Sequence, residues 1–307
     1  MKNLESKKYW VWFSLIKGLG CIRKKKLLEI YKNPMNIYNL DKKQLLEING
    51  IGKETVSNII NSKNIDIINK HIEYMDLNDI DIININDKEY PYNLKQIYDA
   101  PISLYVKGDK NILNNKNIAI IGCRECSDYG KKAAKYFAYN LSKENVNIVS
   151  GLARGIDSYA HIGNISAVSE LTQFPNVNKI GRMNCGKTIA IVGNGLDIVY
   201  PKENYDVANR IIETGGIIIS EYPCGTKPDK MNFPARNRII SGISDGVLVV
   251  EAKEKSGTLI TVDFALEQGR DVFVVPGNIN SINSVGTNDL IKQGAKCVTT
   301  YREVLDT

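Results

Sequence analysis

The chain has 307 residues, 40 lysines and arginines against 34 aspartates and glutamates (formal charge +6), and 43% apolar residues. That content fills one large or two unequal cores, and a modest positive charge permits a nucleic-acid partner without requiring one. No apolar run approaches the roughly 18 to 20 residues of a membrane span, and six cysteines without a signal sequence read as reduced thiols, so a soluble, cytoplasmic protein is expected.

The first 70 residues contain a repeat. Ile16-Lys17-Gly18-Leu19-Gly20 returns as Ile48-Asn49-Gly50-Ile51-Gly52, each copy flanked by apolar residues at helical period. Each copy resembles a helix-hairpin-helix, in which glycines make a tight turn and present backbone amides to one DNA phosphate at the start of the second helix. Lys53 and Thr55 follow the second copy. Between Ser6 and Leu28 every charged residue is basic (Lys7, Lys8, Lys17, Arg23, Lys24, Lys25, Lys26), a footprint for a polyanion. Residues 1–70 are therefore expected to form a small all-α tandem domain, either contacting duplex DNA or packing against a neighbour.

Residues 71–116 read as a connector, with a short strand in DIDIININD, and an extension through Tyr90-Pro91 and Leu104-Tyr105 that covers the main sheet. From Asn117 to Thr307 apolar strand-length runs alternate with helical patterns. Strands are expected at Ile118–Gly122, Asn147–Val149, Thr188–Val192, Ile217–Ser220, Gly246–Val250, Asp271–Val275 and Cys297–Thr300, with a helix over Asn288–Ala295. This is α/β grammar: a doubly wound, mainly parallel Rossmann-like sheet whose ligand sits at the carboxyl ends of the strands. Residues 162–187, including Phe174-Pro175-Asn176, are expected to form a surface excursion.

The turns after the strands carry the chemistry. Gly122-Cys123-Arg124 follows one strand and Ser150-Gly151-Leu152-Ala153-Arg154 the next; Lys202 follows Tyr200-Pro201, and Phe233-Pro234-Ala235-Arg236-Asn237-Arg238 opens a helical segment at Arg236. Lys255-Ser256-Gly257 begins the helix inside the βαβ unit, where free amides and the positive dipole end suit an anion. Arg124, Arg154, Lys202, Arg236 and Arg238 are expected to gather on one lip and hold successive phosphates with the amides of Gly122, Gly151 and Ser256, while Phe233 stacks on a base; Ser150, Asn237, Lys255 and Gly257 complete the set. Other chemistries fit less well. Cys123 and Cys126 make a lone Cys-x-x-Cys with no second pair for zinc, Gly193-Asn194-Gly195 lacks the third glycine of a dinucleotide loop, and His161 falls inside a helix where packing or capping is the commoner role. No metal, cofactor or catalytic residue is expected.

FPARNRIISGIS, VVEAKEKSGTLIT and EQGRDVFVVPG, with SGLARGID upstream, resemble in that order the signature blocks of the DNA-processing protein A family, DprA or Smf. Gly-Cys-Arg stands where that family usually has Gly-Ser-Arg or Gly-Thr-Arg, a departure that removes a hydroxyl available to a phosphate. The resemblance implies a protein that binds single-stranded DNA, loads RecA recombinase onto it during transformation or recombination while displacing single-strand-binding protein, and self-associates as a homodimer through the region of Asn288–Ala295. Many members continue into a winged-helix-like domain; this chain is expected to lack it. Two alternatives stay open. One is a Rossmann-like enzyme hydrolysing nucleoside monophosphates with Asp157, Glu221 or Glu251 as acid or base, although Lys255-Ser256-Gly257-Thr258 lacks the paired-glycine loop of such enzymes. The other is a duplex-binding helix-hairpin-helix module beside an inert sheet.

Overall fold

A computed structural model describes residues 2–173 and 184–306 of the chain. Both copies of the repeat fold as helical hairpins. α1 (Lys2–Leu15) turns through Gly18, φ 72°, into α2 (Cys21–Tyr31); after α3 (Pro34–Tyr38), α4 (Lys42–Leu46) turns through Gly50, φ 89°, into α5 (Lys53–Asn61). A left-handed backbone there suits glycine, which has no Cβ to clash. Asp41 and Gln44 form a capping box on α4. α6 (Ile65–Leu77) carries the helical unit past residue 70 and buries Ile68 and Met75.

From residue 81 the chain builds a sheet. β1 (Asp81–Asn84), α7 (Tyr92–Lys95) and β2 (Ser103–Gly108) come first, followed by β3 (Asn117–Gly122), α8 (Asp128–Lys143), β4 (Asn147–Ser150) and α9 (Ile156–Gln173). Then come β5 (Thr188–Val192), α10 (Tyr205–Glu213), β6 (Ile217–Ser220), α11 (Asn232–Ile243), β7 (Gly246–Glu251), α12 (Gly257–Glu267) and β8 (Asp271–Val274). α13 (Val285–Lys292), β9 (Lys296–Cys297) and α14 (Arg302–Leu305) close the described chain.

Among the described residues these strands form one sheet in the order β1-β2-β6-β5-β4-β3-β7-β8-β9. β3 to β9 pair in parallel, whereas β2 joins β6 antiparallel and β1 joins β2 antiparallel. The extension is thus hydrogen-bonded into the sheet edge. Because the chain steps outward from β3 to β6 and then returns to lay β7 on the other side of β3, the loops after β3 and β7 flank the switch point, where a ligand crevice is expected in open parallel sheets. β3 and β7 are buried on both faces, as their unbroken Ile and Val runs require.

Several elements differ from the sequence pattern. Residues 162–173 continue α9 and bury Ile165, Ala167 and Val168, while Phe174-Pro175-Asn176 lies outside the described residues. α11 opens at Asn232 rather than Arg236, α13 begins at Val285, and the last strand spans only Lys296–Cys297. The helical unit shares its core with the sheet: Trp12 and Phe13 of α1, Leu104 and Tyr105 of β2 and Ile239 of α11 belong to one apolar cluster. Ser14 Oγ and Tyr105 OH lie 2.5 Å apart across the junction.

Candidate functional site

The carboxyl rim is assembled from loops that pack directly on one another. After β4 the chain passes Arg154 and Gly155, whose φ of 75° and lack of a Cβ let it lie against the carbonyls of Cys123 and Arg124; Ile156 N donates to Cys123 O at 3.2 Å. Arg124 and Arg154 are therefore neighbours, both exposed. Arg154 pairs with Glu203, the residue after Lys202, and Asn204 Nδ2 donates to Leu152 O at 2.9 Å, which ties the exposed Lys202 to the same edge.

An aromatic platform completes this edge. Phe233, in the first turn of α11, stacks on Tyr200 with centroids 5.7 Å apart and planes 26° apart, and the Arg124 guanidinium lies 5.6 Å over the Phe233 ring. Tyr200 is 44% exposed and Phe233 half-buried. A wet ring face beside a guanidinium suits a nucleobase or another planar group. Farther along, Asn237 Nδ2 reaches Gly257 O at 3.5 Å, linking the platform's helix to the start of α12. There Ser256 caps the helix by accepting from Thr258 N at 3.2 Å, Lys255 is exposed, and the space at Gly257 is open.

Beneath the rim the polar groups are buried and mostly paired, although Arg236 Nε has no hydrogen-bond partner among the described residues. Arg236 is 4% exposed, its guanidinium lies where a Cβ on Gly151 would be, and Nη1 donates to Ile191 O at 2.9 Å. Burial pulls its pKa down to about 10, against the opposing effect of Asp157. Burial likewise raises the Asp157 carboxyl, while Arg236 and the Ala153 amide pull it back. Ser150 donates its hydroxyl to Ile120 O at 2.7 Å and is fully buried. Neither Ser150 nor Arg236 presents a free group at the lip, contrary to the sequence-based expectation.

Arg238 departs furthest. It lies two residues from Arg236 on one helix, and such positions do not share a face. Its guanidinium turns instead to the junction with the helical unit, donating to Asp99 at 2.8 Å and to both oxygens of Glu221 at 3.0 and 2.9 Å, with Cys21 Sγ at 3.9 Å. Although burial alone would lower its pKa, the carboxylates of Glu221 and Asp99 raise it overall. Glu251 is equally occupied: it accepts from Ser127 N at 2.9 Å and from the Ser127 hydroxyl at the start of α8.

Cys123 is 5% exposed, so the departure in Gly-Cys-Arg withdraws no exposed donor. Burial raises both the Cys123 and Cys126 thiols. The basic amino-terminal stretch is fragmented: Lys7 pairs with Asp76 and Asp81, Lys26 donates to Asn49 O, and Lys24 is buried on Ser14 O with its pKa lowered to about 8 by burial. Tyr200, exposed Lys227 and exposed Lys230 lie outside the set expected from the sequence; the two lysines lie on the β6–α11 loop, and their place just ahead of Phe233 is the signal that points to them.

Residues 81–307 match the model of a family described as DNA recombination-mediator protein A. The chain belongs to that family. Residues 14–62 also match the SAM-like helix-hairpin-helix tandem. The chain is 44% identical over 222 residues to DNA processing protein DprA of Streptococcus pneumoniae, covering 72% of each, and 41% identical over 228 residues to that of Bacillus subtilis, covering 74% of this chain and 71% of the relative. It superposes on the X-ray structure of the Streptococcus pneumoniae family member with a TM-score of 0.80 at 35% identity over 97% of both chains. For DNA processing protein A of Helicobacter pylori, whose structure describes a single-stranded DNA binding mode, the TM-score is 0.61 at 30% identity over 74% of this chain and 94% of that one. Among the described residues, no helix is long and apolar enough to cross a membrane.

Proposed function

We propose that this family member binds single-stranded DNA along the carboxyl rim, with Arg124, Arg154, Lys202 and Lys255 on successive phosphates and a base against the Tyr200–Phe233 stack. One observation carries the reading: a stacked aromatic pair, exposed at Tyr200 and half-buried at Phe233, with a guanidinium over the Phe233 ring and flanking cations contributed by separate strand-end loops. Stacking tolerates any base and requires that base to be unpaired, so single strands are preferred to duplex. The amides of Gly122, Ser256 and Gly257 and the side chain of Asn237 belong to the same proposed surface, whereas Gly151, buried against the Arg236 guanidinium, drops out of it with Ser150 and Arg236. The single-stranded DNA binding described for the Helicobacter pylori relative supports it.

The protein acts in this reading by binding rather than by catalysis. Asp157 is sequestered behind Arg236, Glu221 is held by Arg238 and Glu251 caps α8, which leaves these carboxylates committed to structure. Delivery of the bound strand to RecA recombinase, a homodimer formed through the carboxyl-terminal elements, and a cytoplasmic location are further parts of the same proposal; the family's description as a recombination mediator supports the first of them.

Fluorescence anisotropy with a labelled oligonucleotide, single-stranded against duplex, tests the core of it. Arg124→Ala is expected to lose about 1.5 to 3 kcal/mol of single-strand affinity, the worth of a charged hydrogen bond, and Phe233→Ala about 1 to 3 kcal/mol. Tighter binding to duplex, or wild-type affinity in both variants, contradicts the reading.

A further inference from the structure

A second aromatic and basic surface begins where the rim ends. Tyr129, Lys132 and Tyr136 recur at the spacing of one helix face on α8 and line an open groove of about 260 Å³, whose opposite wall is Val275, Pro276 and Thr299. Tyr129 and Tyr136 are 50% and 42% exposed, while Phe137 and Val275 make a buried apolar floor. Tyr129 OH donates to Pro276 O at 2.8 Å, which anchors the ring in the first turn of α8, next to the Ser127 cap and the loop that carries Arg124. At the far end Tyr136 meets Tyr301 edge-on at 6.3 Å, and Arg302 lies 5.8 Å over the Tyr301 ring.

We infer that this groove takes the nucleotides that follow those held at the rim, with bases against Tyr129 and Tyr136 and a phosphate on Lys132. The inference rests on the proposed reading of the rim. Two observations favour an unpaired polynucleotide over a protein partner. One cation, Lys132, stands between two rings, Tyr129 and Tyr136, over an apolar floor, an arrangement that can stack bases and hold a backbone phosphate between them. The exposed side of α8 is also predominantly basic: Lys131 is paired with Asp128, and Lys132 and Lys135 are exposed beside it. A strand leaving the Arg124 loop meets Tyr129 first.

The test is a length series of oligothymidylates from about 4 to about 16 residues, the range of site sizes found for single-strand grooves. Lys132→Glu is expected to bind the shortest members like wild type and the longest roughly tenfold more weakly, the loss of one charge-assisted contact, with Lys132→Arg restoring wild-type behaviour. Arg124→Ala is expected to weaken every length. If Lys132→Glu matches wild type throughout, or weakens all lengths equally, while Arg124→Ala weakens them all, the groove assignment falls and the rim stands. If Arg124→Ala binds every length like wild type, the rim reading fails and the groove reading with it. Lys132 is exposed, so an unchanged melting temperature in the glutamate variant separates loss of binding from loss of fold.

Discussion

Arg154 holds its guanidinium at the solvent-facing lip, paired with Glu203 through side chains that are 63% and 59% exposed, whereas the Arg238 side chain is 6% exposed and forks onto Glu221. An exposed pair contributes about 0 to 1 kcal/mol, but removing one member of a buried pair strands the other and costs about 3 to 5 kcal/mol. Arg154→Ala is therefore expected to change unfolding free energy by less than about 0.5 kcal/mol while weakening single-strand binding. Arg238→Ala is expected to lose about 3 to 5 kcal/mol, and Arg238→Lys to recover little of it, because an ammonium lacks the fork that engages Glu221 and Asp99 together. Urea titrations of the three variants check this ranking; equal stability of Arg238→Ala and Arg154→Ala contradicts it. Nothing in the local sequence separates these arginines, since Asp99 lies far from Arg238 along the chain and meets it only after folding. Tyr200 went unseen for a related reason: an aromatic residue becomes a platform only when a second ring, Phe233, is folded onto it.

At the scale of elements, α9 shows how packing decides what a loop-like stretch becomes. His161, one turn from Asn164, is fully buried, with Nδ1 and Thr188 Oγ1 2.6 Å apart, and burial lowers its pKa to about 3. The unfolded imidazole takes up a proton near its ordinary 6.5 and the folded one only near 3, so between these values the unfolded state binds more protons and stability falls as pH falls. The slope from this residue approaches about 1.36 kcal/mol per pH unit within that window. His161→Gln is expected to flatten the dependence of unfolding free energy on pH between 6.5 and 3 relative to wild type, and identical slopes contradict the assignment. The hairpin turns were legible because glycine marks a positive φ directly, as at Gly18 and Gly50. The continuation of α9 beyond residue 162 was harder to see, because its apolar positions acquire meaning only against the sheet they cover.

On the scale of the whole molecule, the positions of the parallel strands along the chain, though not their order in the sheet, were readable from unbroken apolar runs separated by helical patterns, since such runs are stable only when buried on both faces. β1 falls within the short strand expected in DIDIININD, but β2 and the antiparallel pairing that joins both to β6 were not readable, because an apolar edge strand and an apolar flap have the same composition until a partner edge is offered. What the topology accomplishes is collection: Arg124, Arg154, Lys202 and Lys255 belong to four separate loops and reach one rim because parallel strands deliver their carboxyl ends together. Burial of Arg236 and Arg238 leaves those four as the proposed phosphate contacts. The dependence of single-strand affinity on salt measures their number most directly. The account predicts a slope of log affinity against log salt of roughly −2 to −3, about −0.7 for each phosphate neutralised, and a slope near zero contradicts it.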